Sequence, residues 1–256
     1  MGLGRSTAVV IGSFPLGESD RVVTFYSRDF GKIRGVAKAS RRMKSRFMGA
    51  LELLTLGELV FFDTGRSELV QIDHFDIVRP FAGIRGDLER LGRASWIVEC
   101  VASLTADHDR HAALYGLLVR SLRALEGPVL PERVAVCFGV RSLDVLGHRP
   151  RLDACTVCGR PYPFAYASLG GGGVVCAVCA RREGGLPAVS GAAVAALGRL
   201  RSVRWEEALA APLGRSQGEL AALIEIQMSR LIGQPPRTTK FLRELARLGP
   251  TSGGRG

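Results

Sequence analysis

The sequence predicts a multidomain α+β chain: a five-stranded β-barrel first, then an α-helical domain with a small four-cysteine module inserted in it. Three observations predict this. Short β-branched and aromatic runs fill residues 7–78, the apolar period turns helical after Arg79-Pro80, and four cysteines recur as Cys155-x2-Cys158-x17-Cys176-x2-Cys179. At 256 residues the chain exceeds one average domain, and a hydrophobic content of 46% can fill more than one core. The expected divisions are residues 1–80 for the barrel, 81–150 and 187–249 for the two parts of the helical domain, 151–186 for the cysteine module and 250–256 for a disordered tail.

The expected strands are Thr7 to Ile11, Arg21 to Tyr26, Gly31 to Lys38, Leu51 to Phe62 and Glu68 to Ile77, parted by turn signals such as Pro15-Leu16-Gly17 and Asp63-Thr64-Gly65. Five short strands suit a small closed barrel; the OB-fold is the usual five-stranded solution, with an SH3-like barrel as the alternative. The opening Met1-Gly2-Leu3-Gly4-Arg5-Ser6 matches an N-myristoylation pattern. A strand that begins at Thr7 and belongs in a folded domain argues against that use. No run of about 18 apolar residues occurs, so no membrane span is expected.

Beyond Pro80, Leu88, Leu91, Ser95, Val98, Val101 and Leu104 recur at helical spacing, as do Leu114, Leu117, Leu118, Ser121, Leu122 and Leu125. A third helix starts after Pro131, follows Val134, Phe138, Arg141 and Val145, and ends at Gly147. Cys100 and Cys137 fall within these helices as small core residues. Past the cysteine module, Ser216-Gln217-Gly218-Glu219 reads as a capping box opening a helix that Gly233 and Pro235-Pro236 terminate. A last helix spans about 238–248. The helices on either side of the module are each too few for a good core, so they are expected to pack together.

The four cysteines have the spacing of a structural zinc site. Each C-x2-C pair offers two thiolates from one turn, and the intervening residues allow a hairpin that brings the pairs together. Gly159 follows the first pair, where a turn around metal-bound sulfur needs a residue without a Cβ. Two disulfides are the competing use. No signal-peptide pattern opens the chain and Cys100 and Cys137 sit in helices, which points to a reducing, cytoplasmic setting. A thioredoxin-like redox pair would require a βαβ context, and the surroundings are a Gly-rich loop. The expectation is one structural Zn2+ held by Cys155, Cys158, Cys176 and Cys179.

Lys plus Arg outnumber Asp plus Glu by 35 to 24, a net charge of +11, which favours a polyanionic partner. The excess concentrates between residues 28 and 46, where Asp29 is the one acid. Alternation along the strand puts Lys32, Arg34 and Lys38 on one face and Ile33, Gly35 and Ala37 on the other. Arg41, Arg42, Lys44 and Arg46 follow in a loop. These seven cations are the expected nucleic-acid-binding residues; small barrels bind single strands through such a groove and through stacked aromatics. The aromatic candidates are Phe25, Tyr26, Phe30 and Phe47, with Phe25 read as core and Tyr26 as surface.

Enzymatic chemistry is not legible. The chain has no G-x-x-x-x-G-K-[ST] loop, and Gly170 to Gly173 reads as a hairpin tip between the cysteine pairs. Neither H-E-x-x-H nor the H-x-E of zinc deaminases occurs. Four thiolates would close the metal's coordination sphere and leave no position for activated water. His148, just after Gly147, reads as a helix end, and Asp73 and Asp76 as a solvated barrel edge. The reading is a binding protein, not an enzyme.

The stretches Pro15-Leu16-Gly17-Glu18-Ser19-Asp20-Arg21, Thr24-Phe25-Tyr26-Ser27-Arg28-Asp29-Phe30-Gly31-Lys32 and Ala37-Lys38-Ala39-Ser40-Arg41-Arg42 resemble the N-terminal signature of the bacterial RecO recombination mediators. The order of barrel, helices, C-x2-C-G knuckle and closing helices is similar to that family, and Lys240-Phe241-Leu242 echoes its final helix. The resemblance implies an OB-fold that binds single- and double-stranded DNA and anneals complementary strands. It also implies partnership with RecR and with single-strand-binding protein, helping RecA onto coated DNA, at the nucleoid in the cytoplasm. Some relatives lack the cysteines, so the metal is expected to be structural. The alternative is an OB-fold and zinc-ribbon factor binding RNA or DNA in transcription or translation.

Overall fold

A computed structural model of the chain describes residues 2–42, 45–65, 67–164, 167–170 and 172–248. The chain divides into two compact units, Met1–Glu126 and Gly127–Gly256.

The first unit opens with five strands: β1 (Gly2–Leu16), β2 (Asp20–Ser27), β3 (Gly31–Ala37), β4 (Leu56–Asp63) and β5 (Val70–Arg79). They close into a barrel in the order β1-β2-β3-β5-β4, with β3 and β5 parallel and the other pairs antiparallel. This is the expected OB-type barrel, built from alternation: every second side chain, among them Ala8, Val10, Val23, Phe25, Ile33, Leu59, Ile72 and Phe75, fills one buried cluster. β1 is much longer than its apolar run foretold. A bulge between Val10 and Gly12 bends it, so that its first half pairs with β4 and its second half with β2. The expected fourth strand begins late, because residues 46–54 form turns.

Phe25 and Tyr26 do point to opposite faces, yet both are fully buried, which corrects the placing of Tyr26 on the surface. The outer face of β1 and β2 is itself covered around Tyr26, with Val9 and Val22 also buried and a helix packed on β1, and is open towards Phe14 and Leu16 at the far end of β1. That helix is α2 (Leu88–Leu104), which follows the short α1 (Ala82–Arg85) and precedes α3 (Ala112–Glu126). Asp87 caps α2, accepting from the Glu89 and Arg90 amides at 2.9 and 3.0 Å. The expected stripe of α3 is buried throughout, whereas that of α2 is rotated: Leu88 is exposed, and Ala94, Ile97, Val98 and Val101 carry the packing.

The second unit contains α4 (Pro131–Val145), the strands β6 (Ala167–Gly170) and β7 (Gly173–Cys176), α5 (Ala177–Glu183), β8 (Ala188–Val189) and the helices α6 (Gly191–Ser202), α7 (Trp205–Ala210), α8 (Ser216–Ile232) and α9 (Arg237–Leu248). The helical span 81–150 is therefore divided: α1 to α3 lie in the barrel's unit, and α4 packs with α6, α7 and α8. Arg141, which interrupts the apolar stripe of α4, donates to the Leu200 carbonyl at 3.1 Å and to that of Val203. Arg133 does the same for Leu209 at 3.2 Å and for Ala211. Both guanidinium groups satisfy carbonyls that α6 and α7 leave open at their C-termini. Gly147 ends α4 in the left-handed region, and the His148 amide closes back on the Leu143 carbonyl at 2.7 Å. The capping box does not form. α8 begins at Ser216 without a side-chain cap, and Glu219 instead accepts the Ser190 amide at 2.9 Å, before the start of α6. Residues 250–256, expected as a tail, lie outside the described residues.

Candidate nucleic-acid interface and metal centre

The alternation read in β3 is present: Ile33 and Ala37 are buried in the barrel core, and Lys32, Arg34 and Lys38 lie on the other face. What each cation touches divides the set. Lys32 Nζ donates to the carbonyls of Ala102 at 2.8 Å and Thr105 at 2.6 Å, and pairs with Asp107 at 3.3 Å. Those carbonyls belong to the C-terminal end of α2, where orphaned acceptors and the negative end of the helix dipole favour a cation. Gly31 permits the contact, since a Cβ there would sit 2.0 Å from the Asp109 carbonyl oxygen. Arg34 is held by Asp107 at 2.9 Å and Glu68 at 3.2 Å. Sequence reasoning missed these acids because they stand 73 and 34 residues away.

Past the end of β3 the cations are freer. Lys38 and Arg42 are exposed. Arg41 is anchored through backbone alone, its amide donating to the Ser19 carbonyl at 2.9 Å and its guanidinium to that of Gly17 at 3.1 Å. Asp20 organises the turn. Its carboxylate accepts the Ala39 amide at 2.8 Å and the Ser19 hydroxyl at 2.9 Å; these bonds, with Lys38 and Arg42 nearby, hold it below the ordinary carboxylate value. Arg46 lies over the Phe47 ring, donates to the Ile72 carbonyl at 3.4 Å and faces Asp73 at 3.7 Å. Lys44 lies outside the described residues. Of the four aromatic candidates, Phe25, Tyr26 and Phe47 are buried and Phe30 packs against the barrel core. Asp73 and Asp76 flank His74 at 3.0 and 3.6 Å on the exposed barrel edge.

The four cysteines converge as their spacing requires. Their Sγ atoms all lie within 4.8 Å of one another, the one group among the described residues that could hold a metal ion. The β6–β7 hairpin returns the second pair to the first, Gly170 pairing with Gly173 at its tip. Gly159, at φ 73°, turns the first knuckle, and its amide donates to the Cys155 carbonyl at 2.9 Å. Cys158 and Cys176 Sγ atoms are 3.8 Å apart. Four thiolates about 2.3 Å from one tetrahedral ion would be separated by about 3.8 Å, so the donor set fits such an ion. The Cys176 amide points at Cys155 Sγ from 3.4 Å. Burial opposes ionisation of Cys155, but this amide and those of Cys158 and Val157 outweigh it and hold the thiol below its ordinary value; Cys176 is lowered chiefly by the Cys179 amide. His148 is not a member of the group. Among the described residues, no helix is long and apolar enough to cross a membrane.

The fold and the site define a class of protein: an OB-type barrel with an exposed basic turn, followed in sequence by a helical unit carrying a four-cysteine knuckle. Two family models match in series, Recombination protein O N terminal over residues 1–81 and Recombination protein O C terminal over residues 85–239. The chain belongs to the RecO family. It is 36% identical to the DNA repair protein RecO of Anaeromyxobacter dehalogenans (strain 2CP-C), with 98% of each chain covered. It is 37% identical to that of Frankia casuarinae over 85% of this chain and 90% of the relative. To that of Rhodopirellula baltica it is 29% identical over 92% and 97%.

Proposed function

We propose that the chain acts in DNA repair and recombination as a mediator that binds single- and double-stranded DNA and anneals complementary strands. With RecR it helps load RecA onto DNA coated by single-strand-binding protein. The observation that carries this reading is the match to RecO along nearly the whole chain. The chemistry of the barrel supports it. Lys38, Arg41, Arg42 and Arg46 follow β3 and are exposed, while Lys32 is committed to α2 and Arg34 is shared between two acids. The phosphate surface is therefore the turn after β3 more than the strand itself. A structural Zn2+ at Cys155, Cys158, Cys176 and Cys179 stabilises the knuckle without taking part in DNA chemistry.

Two complementary strands repel through their phosphates, and cationic surface laid along one lowers the cost of bringing them together. Guanidinium forks suit this, since they pair with phosphate oxygens and also stack on bases. Annealing needs no nucleotide hydrolysis on this mechanism. The test is the annealing rate of an Arg41→Ala, Arg42→Ala double variant against the unaltered protein over a range of salt. Annealing and DNA affinity should fall together and lose salt dependence. Full-rate annealing with collapsed affinity would overturn charge neutralisation by this turn.

A further inference from the structure

The buried state of Phe25, Tyr26 and Phe47 leaves the basic turn without the stacking partner that a single-strand surface calls for. The strand register supplies one that the periodicity did not disclose. After the bulge in β1, Phe14 stands opposite Val22 of β2, and Val22 stands opposite Val36 of β3. Residues directly opposite one another share a face. Phe14 is thus on the same face as Arg34 and Val36, and Lys38 follows β3 two residues past Val36 in the adjoining turn. Leu16, two residues further along β1, stands opposite Asp20, whose carboxylate holds the Ala39 amide next to Lys38.

Phe14 is 53% exposed and Leu16 42% exposed. Val22, the cross-strand neighbour of Phe14 on that face, is buried, so an apolar side chain stands beside the ring. The turn that follows Leu16 is the one to which Arg41 is tied, through the Gly17 and Ser19 carbonyls. An exposed aromatic ring is therefore bordered by exposed cations on a rigid sheet. On an OB barrel, this β2–β3 face and the β1–β2 turn are where oligonucleotides lie. Duplex DNA keeps its bases stacked on one another, and a protein partner would not call for cations along the border. A flexible polyanion carrying unstacked aromatic faces satisfies both features.

We infer that Phe14 is a base-stacking residue for single-stranded DNA, with Leu16 beside it and with Lys38, Arg41 and Arg42 holding the flanking phosphates. The inference rests on the proposed DNA-binding function and adds to it the group that distinguishes single strands from duplex. Because Phe14 is exposed, Phe14→Ala should leave thermal unfolding unchanged. The substitution should weaken oligothymidylate binding by roughly 5- to 150-fold, the range that loss of one stacked base gives. The salt slope and the affinity for a blunt duplex should stay as they were, since no phosphate contact is removed. Phe14→Trp should restore affinity and Phe14→Leu should not. The Phe14→Trp protein should also show emission quenched by oligothymidylate, against the signal of Trp96 and Trp205 measured in the unaltered protein. Undiminished single-strand affinity in Phe14→Ala, with an Arg41→Ala, Arg42→Ala variant clearly weakened, would overturn this inference and leave the DNA-binding function standing. An equal loss for single strand and duplex would also overturn it, by making Phe14 a general support of the surface. Absence of DNA binding in the unaltered protein would instead remove the function on which the inference rests.

Discussion

Side chains of one type do opposite work in this protein, and their partners decide which. Lys32 and Arg42 both belong to the basic segment, but Lys32 Nζ is spent on two helix-end carbonyls and Asp107, while Arg42 is exposed. Lys32→Met should therefore leave the α2 carbonyls and Asp107 poorly paired and lower stability by about 1–3 kcal/mol in urea unfolding, with DNA affinity little changed below the transition. Arg42→Ala should do the reverse, weakening DNA binding with an unshifted unfolding midpoint. The cysteines separate in the same way. Burial pushes the Cys100 thiol far up and that of Cys137 to about 11, so neither is a thiolate at neutral pH. Iodoacetamide should leave both unmodified in the folded protein at pH 7 and should reach the Cys155 group once bound metal is chelated, as peptide mass mapping would record. Alternation was enough to tell which face of β3 each cation occupies. The acids that occupy Lys32 and Arg34 could not be read, because no local rule links residues so far apart in the chain.

At the scale of elements, local signals held where the chain itself closes the contact. The Cys155 and Cys176 pairs, the glycine after the first knuckle and the hairpin between them are all short-range, and all four are found. Signals failed where a distant element offered a better partner. Glu219 leaves its own helix start to accept the Ser190 amide, and the stripe of α2 rotates to serve the barrel as well as α3. The contact between α4 and α8 has no sequence signature beyond a glycine. A Cβ on Gly139 would fall 2.1 Å from Ile224 Cγ2. Gly139→Ala would gain about 1 kcal/mol of helix propensity, yet overpacking costs typically about 1–3 kcal/mol, so a net loss in thermal stability is expected. The double variant Gly139→Ala, Ile224→Ala should recover part of that loss, which a two-mutation cycle would measure.

On the scale of the molecule, the basic segment and the four cysteines fall in separate units. With Lys32 and Arg34 engaged internally, about five of the seven phosphate contacts remain, and at about 0.7 per contact the single-strand affinity should fall roughly 130-fold between about 50 and about 200 mM salt. A fluorescence titration over that range measures it, and a slope near that of seven contacts would return the strand cations to the surface. Metal removal should be felt elsewhere. The cysteine module has a small core, in which Val175 is the buried aliphatic residue beside three of the thiols, and metal binding of about 10–16 kcal/mol in comparable modules far exceeds what such a core supplies. Chelation, or Cys155→Ser, should open residues around 152–183 to proteolysis while peptides of the barrel stay protected.

The sequence by itself determined the five-strand barrel, the four-cysteine knuckle, the placement of positive charge near β3 and the resemblance to RecO. Each of these is written in spacing or alternation over a few residues, where the chain's own geometry leaves little choice. Only the tertiary structure decided which cations remain available, that Tyr26 is covered, that the helices divide between two units and that Phe14 shares a face with Val22 and Val36 of the neighbouring strands. Those outcomes depend on which distant groups meet. That is settled by competition among all possible partners for buried area and hydrogen bonds, and a window of local sequence does not contain the competitors.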